Sequence, residues 1–415
     1  MDVIKRDNRV VPFDKNKIVN AILKAYEETE GTITSFAKDK AKEIASYVEN
    51  MDKTLSVEEI QDIVEQKLMA SKSKEVAKKY ILYREERTRQ RQKNSQFMKI
   101  IGEKISASNV QNQNANVDEH SFGGRRGEAN AELMKQYALD NCMSEMSRNN
   151  HLNNEIYNHD LEYYPVGAHN CMSIPFDDLL ANGFNTRQTD VRPANSINTA
   201  FQLLAVLFQL QSLQQFGGCS ATHLDWTMIP YVRKSFYKHY KDGCKYLMNI
   251  DFNPKNFNPI EISIDDKRYK NIVEKVYQYA MDMTERELYQ AVEAMYHNLN
   301  TLQSRAGNQL PFTSINYGTC TLPEGRMVTK ALLDVSIEGN GKLHKTPIFP
   351  CGIFQCMNGV NRKPEDPNYD LFRLALKSTS LRLYPNYANV DWSGNAGYDI
   401  NDPRTYFSTI NKTVA

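Results

Sequence analysis

The chain of 415 residues predicts an α/β protein in two parts, a small hairpin-and-helix unit followed by a larger unit of alternating helices and short strands. Three observations carry this. Two β-prone runs, Val3-Ile4-Lys5-Arg6 and Val10-Val11-Pro12-Phe13, flank the turn-forming pair Asp7-Asn8 and lead into helix-periodic sequence. From Ser106 to Gly127 the composition changes to Asn, Gln, Ser and Gly, which marks a boundary. From Glu128 onward helical stripes alternate with strand-like runs, the pattern of an α/β layer or barrel. The expected divisions are 1–93, a linker or entry segment over 94–127, and 128–415.

Each element has a local cause. Asp14 can cap a helix whose Ile18, Ile22 and Ala25 recur at helical spacing. Ser56-Val57-Glu58-Glu59 is a capping box ahead of Ile60, Ile63, Val64 and Leu68. A third helix runs through Val76, Tyr80 and Tyr83 into the basic run Arg84, Arg87, Arg89, Arg91 and Lys93. Glu85 and Glu86, with no interleaved aromatics, make that run a solvated helix end rather than a nucleic-acid surface. In the second part, Thr284-Glu285-Arg286-Glu287 reads as a capping box that starts a helix. Its stripe is Leu288, Ala291, Val292, Met295, Leu299 and Leu302. Leu310–Tyr317 and Thr346–Phe354 follow as strand candidates.

Composition narrows the function. Lys plus Arg is 51 and Asp plus Glu is 50, so no global charge favours nucleic acid or a membrane surface. The longest apolar run, Leu203–Phe208, is too short to span a bilayer, and Met-Asp-Val-Ile-Lys-Arg has no apolar signal region. A cytoplasmic protein is expected. The seven cysteines, 142, 171, 219, 244, 320, 351 and 356, are odd in number and include no Cys-x-x-Cys pair. Reduced thiols are therefore expected, with neither a disulfide framework nor zinc spacing. Cys219, Cys244, Cys320, Cys351 and Cys356 read as packing residues.

Two sets of residues suggest chemistry. Lys5 and Arg6 on the hairpin, with Lys17 on the next helix, gather cations near a helix start, an arrangement suited to a triphosphate. Read alone, a charged turn is also ordinary solvated surface. Cys171 lies in Tyr163-Tyr164-Pro165-Val166-Gly167-Ala168-His169-Asn170-Cys171-Met172, downstream of His159-Asp160. Read alone, this is a thiol among apolar residues and a histidine that either orients a ligand or is structurally satisfied.

The order of these blocks is more specific. Val3-Ile4-Lys5-Arg6-Asp7, Val11-Pro12-Phe13-Asp14, Lys17-Ile18, Ser56–Gln61 and Tyr80-Ile81-Leu82-Tyr83-Arg84 together resemble the ATP-cone domain, with Asn8 where that family usually has Gly. Asn149-Asn150-His151, Glu155–Leu161, His169-Asn170-Cys171, Gly217-Gly218, His223–Thr227, Ser304–Gly307, Pro311–Gly318 and Thr346–Pro350 resemble the anaerobic, class III ribonucleoside-triphosphate reductases. The resemblance implies part of a ten-stranded α/β barrel of the glycyl-radical enzyme type. In that family a glycyl radical oxidises a cysteine to a thiyl, which takes the ribose 3′ hydrogen. The 2′ hydroxyl then leaves as water, and formate or a thioredoxin-like dithiol supplies the electrons.

On that resemblance Cys171 matches the second, substrate-reducing cysteine and His159 a site residue beside it. Lys5, Arg6, Lys17 and Arg84 are the implied contacts to ATP or dATP as allosteric effectors. The resemblance also implies a ribonucleoside triphosphate substrate, a radical-SAM activase with a [4Fe-4S] cluster, a homodimer, and a second effector surface within Gln209–Lys238. Tyr406-Phe407-Ser408-Thr409 is present, but a Met-Gly-Cys-Arg radical loop, the glycyl-radical segment and the family's structural zinc site do not follow. The expectation is a truncated or split enzyme, completed by a second polypeptide. The alternatives are a non-catalytic ATP/dATP-binding regulatory fragment, or an inert fragment whose open strand edges aggregate.

Overall fold

The computed structural model describes residues 2–409 apart from 7–8, 52, 94–95, 109–119, 168, 216, 255–256, 271–273, 306–308, 393–396 and 407. They form two compact units, Met1–Gly102 and Glu103–Ala415.

In the first unit, strands β1 (Asp2–Ile4) and β2 (Val10–Pro12) pair antiparallel, pairing Val3 with Val11. The turn pair Asp7-Asn8 lies outside the described residues. A two-residue strand not anticipated from sequence, β3 (Leu55–Ser56), adds parallel to β1 and gives the order β2-β1-β3. Helix α1 (Lys15–Glu30) starts at Asp14, whose carboxylate accepts from Asn16 N, and stops at Gly31 in the left-handed region. Helix α2 (Ser35–Glu49) was also not anticipated; it starts at Thr34 and buries Ala37, Ala41, Ile44, Ala45 and Val48. Helix α3 (Val57–Met69) has the Ser56–Glu59 capping box in both directions, and α4 (Lys74–Lys93) follows. Val3, Ile22, Tyr26, Ile44, Leu55, Val64 and Leu68 close one core, each large side chain contributing roughly 1.5–3 kcal/mol by burial.

Helix α5 (Gln96–Ser106) and the start of α6 (Phe122–Tyr137) both fall within 94–127, the stretch expected to be a linker or entry segment. Its Asn/Gln-rich centre lies outside the described residues.

The second unit continues with α7 (Glu145–Leu152), β4 (Met172–Ser173) and α8 (Phe176–Asn182). A small hairpin of β5 (Phe184–Asn185) and β6 (Asp190–Val191) leads to α9 (Ile197–Ser212). Then come β7 (Cys219–Ala221), α10 (Leu224–Thr227), α11 (Ile229–Met248), α12 (Lys267–Lys270), α13 (Glu274–Leu299) and β8 (Thr313–Tyr317). The last elements are α14 (Pro323–Glu338), β9 (Cys351–Cys356), α15 (Tyr369–Arg382) and β10 (Asn386–Asn389). Strands β10-β9-β8-β7-β4 form a sheet in that order, and every pairing in it is parallel. Among the described residues this sheet has five strands. Parallel neighbours require crossovers, and α9, α11, α13, α14 and α15 lie within them.

Two sequence expectations change. Helix α13 begins ten residues before the supposed capping box, at Glu274. Thr284 is buried mid-helix and its hydroxyl donates to the Ala280 carbonyl, so it caps nothing; Val276 and Ala280 extend the apolar stripe upstream. Thr346–Phe354 is strand only from Cys351, because Pro347 and Pro350 lack the N–H a ladder needs.

The two faces of the five-stranded sheet differ. Cys219, Ala221, Ile315, Tyr317 and Phe354 join Leu204, Phe208, Leu288, Val292 and Leu332 in the main core. By strand alternation and register, Ser173, Ser220, Ser314, Asn316 and Gln355 belong to the opposite face. Purely parallel sheets are normally apolar on both faces. This one is apolar under its helices, and its other side carries these hydroxyls and amides together with Cys351, Ile353 and Ala388.

Candidate functional site

The first unit encloses a cavity of about 160 Å³ lined by Lys5, Phe13, Asp14, Lys17, Gln61 and Tyr80 among others. The hairpin brings Lys5, the first turn of α1 brings Lys17, and α3 and α4 bring Gln61 and Tyr80. Asp14 Oδ1 accepts from Asn16 N at 3.1 Å, and its Oδ2 lies 4.0 Å from Lys17 Nζ. A carboxylate thus already occupies the helix start, so an anion here would depend on the lysines rather than on free helix N–H groups. Burial pushes the Tyr80 phenol up to about 12.

The other two predicted cone cations have carboxylate partners. Arg6 Nε donates to Glu58 Oε1 at 2.5 Å and its Nη2 to Gln61 Oε1 at 3.2 Å. Arg84 Nη1 donates to Asp62 Oδ1 at 2.7 Å and Glu65 Oε1 at 2.8 Å. It ties α3 to α4 and is not among the residues that line the cavity.

In the second unit Cys171 is half-buried immediately before β4. Gly218 N donates to its Sγ at 3.3 Å, and the thiol lies 3.4 Å from Asn170 Oδ1 as a donor. Gly217 permits this approach: a Cβ there would sit 2.4 Å from both the carbonyl carbon and the carbonyl oxygen of Asn170. Cys219 on the adjacent strand is different. It is buried, accepts from Gln215 Nε2 at 2.9 Å, and burial pushes its thiol up to about 12. Cys244, Cys320 and Cys351 are buried as well, in keeping with packing roles, and Cys356 is partly buried.

His159 is mostly exposed. Its Nδ1 lies 2.5 Å from Asp160 Oδ2 and its ring meets Tyr157 edge-on. Among the described residues no contact joins it to Cys171. In the Gln209–Lys238 stretch, Leu207 just ahead is buried, whereas Leu210 and Leu213 are exposed, so internal packing accounts only for Leu207.

A larger cavity, about 380 Å³, lies at the carboxyl end of β7 and was not anticipated; Asp177, His223, Trp226, Tyr231, Lys234 and Arg404 line it. Its wall is a chain of polar contacts. Thr222 Oγ1 meets His223 Nδ1 at 2.6 Å, His223 Nε2 meets Asp177 Oδ2 at 2.7 Å, and Thr227 Oγ1 donates to Asp177 Oδ1 at 2.6 Å. Burial raises the Asp177 carboxyl, but the His223 and Thr227 contacts outweigh it and the net shift is downward. The block His223–Thr227 was visible as a motif; its partner Asp177, 46 residues away, had no local signal.

Both units match known proteins. The family described as ATP cone domain matches residues 1–89, and that described as anaerobic ribonucleoside-triphosphate reductase matches residues 113–404. A stretch of 91 residues is 45% identical to the vitamin B12-dependent ribonucleoside-diphosphate reductase of Thermoplasma acidophilum, covering 21% of this chain and 12% of that one. The anaerobic ribonucleoside-triphosphate reductase of Haemophilus influenzae is 33% identical over 94% of this chain and 52% of its own length. That of Escherichia coli is 30% identical over 94% and 51%. Among solved structures, the anaerobic ribonucleotide reductase of Thermotoga maritima in complex with dATP and CTP aligns over 71% of this chain and 47% of its own. Its TM-score is 0.47, with 12% identity. The chain belongs to the anaerobic ribonucleoside-triphosphate reductase family, and it spans about half the length of the curated relatives it matches.

Proposed function

We propose that this chain supplies the effector-binding cone and the substrate-reducing thiol of an anaerobic ribonucleoside-triphosphate reductase. The observation that carries the reading is Cys171: a partly accessible thiol, held by Gly218 N–H, at the edge of a sheet whose face away from the helices is largely polar. Cysteine suits this step because its S–H bond yields a hydrogen atom readily. In the cone, Lys5 and Lys17 face the phosphates of ATP or dATP, and Tyr80 and Phe13 wall the base. Arg6 and Arg84 join only by leaving Glu58 and Asp62. The five parallel strands form half of a ten-stranded barrel, and substrate ribose rests against the polar face. The glycyl radical, structural zinc, radical-SAM activase, and formate or thioredoxin-like reductant belong to the completed enzyme, acting as a homodimer. Their segments and partners lie outside the residues described.

Two measurements test this. Calorimetric titration with ATP and dATP should show saturable binding that Lys17→Ala weakens at least several-fold. Anaerobic assay should then combine the chain with a polypeptide carrying the remaining half of its relatives, an activase, S-adenosylmethionine and reductant. Deoxynucleotide formation that Cys171→Ser abolishes is expected. Nucleotide binding without any product under those conditions would leave a regulatory module, and absence of both would overturn the reading.

A further inference from the structure

The amide of Asn316 is used in an unusual way. It sits in the middle of β8 with no exposed surface, on the polar face of the sheet. Its Oδ1 accepts from Thr409 N at 3.2 Å, and its Nδ2 donates to Thr409 O at 3.2 Å. A single side chain therefore reproduces the two-way pairing that a neighbouring strand would offer Thr409. The same Nδ2 reaches Ser220 Oγ and Ala221 O, each at 3.0 Å, so its two hydrogens are shared among three acceptors. Ser220 Oγ in turn lies 3.4 Å from Thr409 O. Just upstream, Tyr406 is buried against Met357 and Val390, and its hydroxyl donates to Ile400 O at 2.5 Å.

The place where this clamp holds the chain matters. Ser220 meets Thr409 O, and Gly218 holds the Cys171 sulfur. These two residues lie two positions apart on one extended run, paired alongside β4 through Met172 N to Gly218 O and Ile174 N to Ser220 O. Two strand residues span about 7 Å. The backbone at Thr409 is thus held against the same strand run that holds the Cys171 sulfur, although the two are far apart in sequence.

We propose that Asn316 is a positioning residue: its side-chain amide sets how the chain at 408–409 lies across the polar face, and so which atoms stand beside Cys171. Ser220 is its second contact. This rests on the reading of Cys171 as a reacting thiol, but the placement is measurable without any turnover. An aliphatic residue at 316 would leave Thr409 N without its acceptor and Thr409 O with Ser220 Oγ alone. Aspartate keeps the acceptor for Thr409 N and loses the donor.

The Thr409 side chain takes no part in the clamp, so Thr409→Cys leaves it intact. The full chain carrying Thr409→Cys, treated with a short bis-maleimide and mapped by mass spectrometry, should yield a link between residues 171 and 409. Adding Asn316→Ala should slow that link at least tenfold. Asn316→Asp should retain part of the rate, and Ser220→Ala should fall between it and the parent. Protection of the buried Cys244 thiol serves as the control for folding. If Asn316→Ala does not fold, Asn316→Asp and Ser220→Ala still decide the question. Absence of the link in the parent overturns the placement, and linkage at parental rate in the three variants overturns the role of the amide. Failure of the untreated parent chain to support deoxynucleotide synthesis, with the link still forming on treatment, would count against the reductase reading and leave Asn316 untouched.

Discussion

At the scale of single residues, this molecule's charged and polar groups act mainly through what already holds them. Asp14 is a helix cap that also places a negative charge in the cone cavity. Asparagine caps as well as aspartate, so Asp14→Asn should leave the melting temperature within a degree or two and tighten ATP binding a few-fold in calorimetry. Weaker binding would place the phosphates elsewhere. Asp225 is another such residue. Burial pushes its carboxyl up, while Oδ2 accepts from Gly318 N and Cys320 N, each at 2.9 Å. Removing that acceptor strands two buried N–H groups, at roughly 1–3 kcal/mol each. Chemical denaturation should show Asp225→Ala destabilised by several kcal/mol and Asp225→Asn by much less. The cone lysines and Cys171 could be named from motifs in the sequence. Asn316 could not: its partner lies 93 residues away, and an amide in a strand carries no mark of what it will bind.

At the scale of elements, legibility followed the range of the cause. The Asp14 cap, the Ser56–Glu59 box and the hairpin are set by residues a few positions apart, and each appears where expected. Helix α2 was overlooked because alanines at 37, 41 and 45 form a faint stripe, and β3 because two residues show no period. Thr284 misled because a capping motif and a back-bonded mid-helix threonine look alike in sequence. The glutamate of that same motif has a different task. Glu287 Oε2 meets His239 Nε2 at 2.7 Å, and its Oε1 takes Ser235 Oγ at 3.1 Å, joining α13 to α11. Burial raises its pKa, but these bonds outweigh it and the net shift is downward from 4.5. A depressed carboxylate stabilises the fold above its unfolded pKa, and that contribution is lost as pH falls through the folded value. Denaturation midpoints should therefore drop below about pH 4.5, and Glu287→Gln should flatten that limb while lowering stability at neutral pH. An unchanged acid limb would mean the pair contributes nothing.

At the scale of the whole molecule, two compact units with separate apolar clusters imply two folding units. Scanning calorimetry should resolve two transitions, and a saturating nucleotide should raise the one belonging to the cone, since a ligand stabilises only what it binds. A single transition shifted as one by ATP would show tight coupling instead. Among the described residues no helix is long and apolar enough to cross a membrane. The α/β class was readable because helical and strand periods alternate along the chain. The sheet's order and the polarity of its free face were not, since both depend on which distant strands become neighbours.

That polar face has a consequence for how such a protein can change. Substitutions at Ser220, Ser314 or Gln355 fall on the side away from the helices, while Ile315, Tyr317 and Phe354 hold the layers together from the other. Alternate letters of the same strand thus answer to different demands. Because Ser220, Asn316 and Gln355 are themselves fully buried, a lineage can exchange them only for groups that keep their hydrogen bonds, so this face is as constrained as the scaffold behind it.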